Sequence, residues 1–376
     1  MLSKRNYIAT IMVVAGLLVL LTDQNLSANA KQASASCHGP EVGWTGPISV
    51  INAHGAVYEG SILGEFGNRK PPSAAYATIS PIFHMDKKGL FVGGNFWNGR
   101  ATGEKLGNPA ADQAQFPFLN PVEQALSTPT DVVTRVCAAS YGDDFREVWG
   151  ADACDLANVD EAYDDIALSI AAFEASSEVN AFSSKYDYTF QGMAKLTKEE
   201  QKGFALFQGK GKCKLCHPSG KEALFTDFTF DNLGVPKNPE NPVYNVDPYF
   251  VDTGLGGFLA SIGYDEDVYM AEWGKQKVPT LRNVDLRPDD DFVKAYGHNG
   301  YFKTLEGIVH FYNTRDVLPT CPGDYTEAEA LAADCWPAPE VAENVNKDEL
   351  GDLGLTSEEE ADIVAFLKTL SDGYTP

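Results

Sequence analysis

Basic residues are scarce in this chain: 29 Lys and Arg stand against 53 Asp and Glu, a net charge of -24 over 376 residues. Nucleic-acid partners call for basic patches, so that class is excluded. Low-complexity tracts are missing too, and the 44% hydrophobic fraction suits well-packed cores in a chain long enough for two ordinary domains. No second Cys-x-x-Cys accompanies the one at Cys213 and Cys216, so a zinc site there would lack two ligands at ordered spacing. The apolar run from Tyr7 to Leu21 is too short for a comfortable membrane span, so stable membrane insertion is not expected.

That run follows Lys4 and Arg5 and precedes Ala28-Asn29-Ala30, an A-x-A cleavage site. Residues 1–30 therefore read as a secretory signal peptide, with an uncleaved anchor as the alternative. Export places the mature chain outside the cytosol, where stable disulfides persist. The bacterial periplasm fits best.

What is present then takes on meaning. Cys213-Lys214-Leu215-Cys216-His217 is the pattern of covalent haem attachment, in which each thiol adds to a haem vinyl group and the histidine reaches the iron. Half of a zinc site or a redox dithiol is the competing reading. Of the seven cysteines, Cys137 with Cys154 and Cys321 with Cys335 form sequence-close pairs suited to disulfides. Cys37 is left over, and His38 follows it. Ser34-Ala35-Ser36-Cys37-His38 is a haem-attachment motif whose first cysteine is serine, which predicts a second c-type haem held through one thioether.

Each half begins near such a motif and closes with an amphipathic helix. Ile166, Ile170 and Phe173 fall near helical spacing in the first, while Ile363, Phe366, Leu367 and Leu370 form a cleaner stripe in the second, opened by Thr356 and Glu359 as a capping box. Another capped helix starts at Thr197 with Glu200. The expected architecture is mainly α, with two cytochrome c-type domains, residues 31–190 and 191–376, meeting near 185–195. Long ordered loops rich in Gly, Pro and Asn, including residues 232–252, should lie over the haem pockets.

Further motifs are Phe96-Trp97-Asn98-Gly99-Arg100, Gln113-Ala114, Pro117, Asn120-Pro121-Val122-Glu123, Lys277-Val278-Pro279-Thr280-Leu281-Arg282-Asn283, His298-Asn299-Gly300 and Thr304-Leu305-Glu306. In this order, flanking two haem motifs, they resemble the bacterial dihaem cytochrome c peroxidase and MauG family over nearly the whole mature chain. The resemblance implies that the first haem, on His38, meets hydrogen peroxide. It makes Glu123 the acid-base carboxylate, Gln113 a distal hydrogen-bonding residue and Trp97 an aromatic relay between the haems. Breaking an O–O bond requires moving a proton from the inner to the outer oxygen, which a carboxylate within hydrogen-bond reach can do. On pattern alone Glu123 could equally cap a helix start, and Trp97 could be ordinary core.

The second haem should be held by His217, with Tyr312 as its other axial ligand. Leu305, Ile308, Val309 and Tyr312 share one helical face from which His310 points away. Tyr312 aligns with a methionine of typical family peroxidases and a tyrosine of MauG, and a phenolate favours oxidised iron. A buried tyrosine with its hydroxyl satisfied locally is the competing reading, and His298 and Met270 are the fallback ligands. Several departures from the family pattern bear on this. Ser34 replaces a cysteine, Gln124 stands where methionine commonly follows the glutamate, and the arm that usually precedes the first motif is missing if the chain is cut after Ala30. Lys70 stands where asparagine often contributes to an interhaem calcium site, which leaves calcium open. His54 reads as a loop histidine.

The expected activity is peroxide reduction with electrons from a small cytochrome c or copper protein. The alternatives are a MauG-like enzyme that turns peroxide-derived oxidising equivalents on a protein or organic substrate, and a noncatalytic dihaem carrier. The excess acidity serves solubility or steers a basic partner. Oligomeric state is open, a homodimer included.

Overall fold

Short apolar stripes punctuated by glycine and proline give short helices joined by long ordered loops. The structure is a computed structural model and describes residues 20–376. Its principal helices are α1 Pro109–Ala114, α2 Pro129–Ala138, α3 Val159–Glu174, α4 Lys198–Gln208, α5 Leu305–Thr314 and α6 Ser357–Lys368. Strand among the described residues is confined to two antiparallel ribbons, β1 His84–Met85 with β2 Phe91–Val92 and β3 Phe230–Asp231 with β4 Gln276–Lys277. The fold is mainly α, as expected.

The helix starts are chemically specified. Thr356 Oγ1 accepts from Glu359 N at 3.2 Å while a Glu359 carboxylate oxygen accepts from Thr356 N at 2.8 Å, and Thr197 and Glu200 repeat the exchange at 3.2 and 2.7 Å. These reciprocal bonds satisfy N–H groups that a helix start otherwise leaves orphaned.

Two cores follow. In the first, Ile166, Ile170 and Phe173 of α3 pack on Val132, Val133 and Val136 of α2; in the second, Ile363, Phe366 and Leu367 of α6 pack on Phe207 of α4 and on Phe225. Crossing of α4 and α6 requires Gly203, since a Cβ there would sit 1.8 Å from Asp362 O. The first core extends to Val179 and the second begins at Tyr186. A third cluster, Phe83 and Phe91 with Phe230, Leu255 and Leu259, joins the two halves. Disulfides close at Cys137–Cys154 and Cys321–Cys335, the two pairs read from the sequence.

Part of the expected signal peptide, residues 1–19, lies outside the described residues. Its remainder packs on the first core. Leu20, Leu21 and Leu26 are buried in the first core, Tyr141 Oη donates to Asp23 at 2.6 Å, and Arg135 donates to the carbonyls of Asn25 and Ser27. An arm therefore does precede the first haem motif, and a cut after Ala30 would remove it. No helix among the described residues is long and apolar enough to cross a membrane.

Candidate functional site

The two haem motifs fold alike. Ser34–Ser36 and Cys213–Leu215 are single 3-10 turns, in which Ser34 O accepts from the N–H groups of Cys37 and His38 and Cys213 O accepts from those of Cys216 and His217. Ser34 thus occupies the place of a cysteine in backbone as well as in sequence. His38 Nδ1 lies 3.0 Å from Trp44 O, and His217 Nδ1 lies 2.7 Å from Phe225 O. A carbonyl can only accept, so each Nδ1 carries the proton and each Nε2 keeps its lone pair for a metal. Burial lowers both imidazole pKa values, which keeps the rings neutral and ligand-competent. Trp44 and Phe225 both adopt positive φ, 60° and 52°, to aim these carbonyls.

The repetition continues past the motifs. Ser73 Oγ donates to Gly43 O at 2.7 Å and Thr280 Oγ1 to Leu224 O at 2.6 Å, each bracing the loop that holds its histidine. Those hydroxyls end two copies of one tetrapeptide pattern, Lys70-Pro71-Pro72-Ser73 and Lys277-Val278-Pro279-Thr280. Next come two loops pinched by a single bridge, Asn95 to Ala101 and Tyr296 to Phe302, which present Trp97-Asn98-Gly99 and His298-Asn299-Gly300. Gly300 must be glycine, because at φ 67° a Cβ would come within 2.3 Å of Ala56 Cβ. After the loops, α1 carries Gln113 and α5 carries Tyr312.

Both motifs, both Lys-x-Pro segments, Trp97, His298, Gln113 and Tyr312 line one cavity of about 470 Å³ between the halves. On its wall stand Cys37, His38, Trp97, Gln113, Glu123, Cys213, Cys216, His217 and Tyr312, every residue proposed for the site from sequence. Glu123 lies near enough to Cys37 to help burial push that thiol up to about 12. Burial also raises Glu123, while Arg100 and the Asn120 side chain pull it back. Arg100 is stacked 3.6 Å over Phe96 and donates to Asn98, and burial lowers it to about 10. Tyr312 sits beside Cys213 and Cys216, which together with burial raise its phenol, and its hydroxyl makes no hydrogen bond to the described chain.

The fallback ligands separate. Met270 is exposed on the short helix Glu266–Ala271, away from the cavity, which removes it. His298 is buried on the cavity wall with its ring 6.4 Å from that of Trp97. His54 is a loop histidine paired with Glu240, and His310 faces Glu360 outside the cavity.

A family model described as di-haem cytochrome c peroxidase matches residues 19–195. The methylamine utilization protein MauG of Paracoccus denitrificans is 34% identical over 361 residues, 94% of this chain and 87% of that one. The chain belongs to the dihaem cytochrome c peroxidase family. Cytochrome-c peroxidase IdrP1 of Denitromonas iodatirespirans is 26% identical over 94% of this chain and 79% of its own. The diheme peroxidase BthA of Burkholderia thailandensis superposes with a TM-score of 0.79 at 28% identity, over 96% of this chain and 86% of that chain.

This dihaem peroxidase is an oxidoreductase, which sets aside a carrier without catalysis. Its cavity fits the two haems of its family on chemical grounds. Gln124 Oε1, both amide atoms of Gln276 and His298 Nε2 are buried without a hydrogen-bond partner, and all three side chains line the cavity. Glu174, at the end of α3 on the same wall, has no partner for its carboxyl and is raised by burial to about 8. Buried polar groups are rarely left unpaired, so a polar guest accounts for them. Sequence reasoning missed Arg100, Glu174 and the paired lysines Lys70 and Lys277. The repeated Lys-x-Pro and Asn-Gly patterns were the available signal.

Proposed function

We propose that the protein reduces hydrogen peroxide at the haem held by His38 and Cys37, and draws electrons through the haem held by His217, Cys213 and Cys216, with Trp97 as the relay. The donor is a small periplasmic cytochrome or copper protein. When bound, haem supplies the iron that takes up peroxide and the electrons that reduce it. The chain's part is proton handling and positioning. The observation that carries this reading is the neighbourhood of Glu123: a half-buried carboxyl beside the first attachment cysteine, raised by burial and restrained by Arg100. Such a group can take a proton from the inner oxygen of peroxide and return it to the outer one, which is the transfer that O–O cleavage requires. Gln113 adds a neutral donor on the same wall.

Tyr312 favours a second reading. A phenol beside Cys213 and Cys216 supports a reading in which Tyr312 would hold the second iron as an anionic donor that stabilises oxidised metal. An enzyme so equipped would turn the oxidising equivalents on a protein or organic substrate. Steady-state peroxide consumption with a reduced small cytochrome tests the first reading. No consumption by fully haem-loaded protein overturns the peroxide step, while consumption only when an oxidisable organic substrate is added selects the second.

A further inference from the structure

Lys70 and Lys277 face the cavity without a counter-charge and with bonding capacity to spare. Both line the cavity, and neither has a carboxylate within 4.0 Å among the described residues of a chain whose net charge is -24. Each ammonium is gripped by two neutral oxygens. Lys70 Nζ donates to Thr45 Oγ1 at 2.8 Å and Pro71 O at 3.1 Å; Lys277 Nζ donates to Gly94 O at 3.1 Å and Asn95 Oδ1 at 3.2 Å. An ammonium has three N–H groups, so each lysine keeps one. Lys294, a further lysine on the wall, differs. Its three N–H groups are all spent on the carbonyls of Val42, Asn283 and Leu286, and it serves as a clasp.

The two lysines also occupy equivalent places. They open the repeated Lys-x-Pro segments, and each segment is tied to the opposite half's loop: Lys70 N donates to His298 O at 2.8 Å, and Lys277 N donates to Trp97 O at 2.6 Å. Trp97 Nε1 completes the arrangement by donating to Lys70 O at 2.8 Å. Two uncompensated cations thus flank the point where the halves meet. Burying a cation without an anion is costly, and burial pulls both lysines down to about 8.

We infer that Lys70 and Lys277 are haem-carboxylate anchors, one for each haem, each using its remaining N–H to bind a carboxylate side chain of the haem in its own half beside Trp97. Haem carries two such carboxylates, so the guest that the cavity fits brings the missing negative charge. Lys70 Nζ holds Thr45, the residue after the Trp44 whose carbonyl fixes His38, which assigns it to the first haem; the Lys277 segment ends at Thr280, which holds Leu224 beside the Phe225 whose carbonyl fixes His217, and this assigns Lys277 to the second. This rests on the two-haem reading above.

The test uses full-length, haem-loaded protein with Lys70→Met, Lys277→Met and the charge-keeping Lys→Arg variant at each position. Haem is counted first by pyridine haemochrome. Fewer than two haems in the unaltered protein defeats the two-haem reading and not the lysine assignment. With two haems present, removing a cation should lower the reduction potential of the haem in that half alone and shift only its propionate bending band in the resonance Raman spectrum. Arginine should restore both readouts. If a methionine variant fails to load, loss of the matching haem alone supports the assignment. Unmoved potentials and bands, or equal changes at both haems in each variant, overturn it, as does loss of both haems in either.

Discussion

Trp97 and His298 hold the same place in two loops of the same form, and their rings meet at 6.4 Å across the junction of the halves. They are not equivalent in chemistry. Trp97 commits its single N–H to Lys70 O, whereas His298 Nε2 has no hydrogen bond and lies 3.6 Å from Glu340 and 3.9 Å from Asp252. If Trp97 relays an electron as proposed, its proton should stay on the indole, because the N–H is bonded to the Lys70 carbonyl and not to a carboxylate.

Glu123→Gln should leave both haems bound and lower peroxide turnover by roughly two or more orders of magnitude, the usual contribution of a positioned acid-base group. The pH profile gives a second check. Glu123 must be ionised to accept the first proton, and burial raises its pKa, so turnover should fall as pH drops through a value above the ordinary Glu value of about 4.3. That acid limb should vanish from the residual activity of the glutamine variant. Near-normal turnover in a loaded variant would remove Glu123 from the mechanism.

Replacing Tyr312 tests the second iron. Tyr312→Phe should alter the low-spin ferric EPR signal, and Tyr312→Met should raise that haem's reduction potential by making the donor neutral and softer. Unchanged spectra in both variants would return the ligand role to His298, the fallback that lines the cavity.

Ser34 offers no thiolate to a haem vinyl group, and its turn is otherwise the same as that of Cys213. The expected result is a mixed pyridine haemochrome, one component at the longer wavelength of a haem with a free vinyl, and an intact mass equal to the mature chain plus two haems. A mass with one haem would remove the peroxide site from this protein.

The packing of residues 20–30 predicts where processing occurs. Losing Leu20, Leu21 and Leu26 would strip three buried side chains, each worth about 1.5–3 kcal/mol, and would free Arg135 and Tyr141. N-terminal sequencing of the exported protein should therefore find a start upstream of Leu20. A chain beginning at Lys31 should melt at a clearly lower temperature, and equal melting points would make the arm dispensable.

Local chemistry was readable from the sequence. The capping boxes at Thr197 and Thr356 act between residues three apart, the disulfide pairs close short loops, and Leu305, Ile308, Val309 and Tyr312 do share the face that lines the cavity while His310 does not. What stayed hidden depends on contacts between distant segments. Met270 was a candidate by residue type, and only the path of the chain shows that it faces solvent. The burial of the arm before Ser34 and the partnerless state of Tyr312, Gln276 and Glu174 likewise depend on which surfaces meet.

The exchange of hydrogen bonds between each Lys-x-Pro segment and the opposite loop means that neither half can be described alone. The peptide of Lys70 and the peptide of His298 are a donor and its acceptor, as are those of Lys277 and Trp97. A displacement of one segment is thus a displacement of its neighbour's loop, and the thermodynamics of such a linkage is reciprocal. If oxidation or ligation in one half alters the grip of its lysine, the affinity and potential in the other must change by the same free energy, so titrations of the two irons should not be independent.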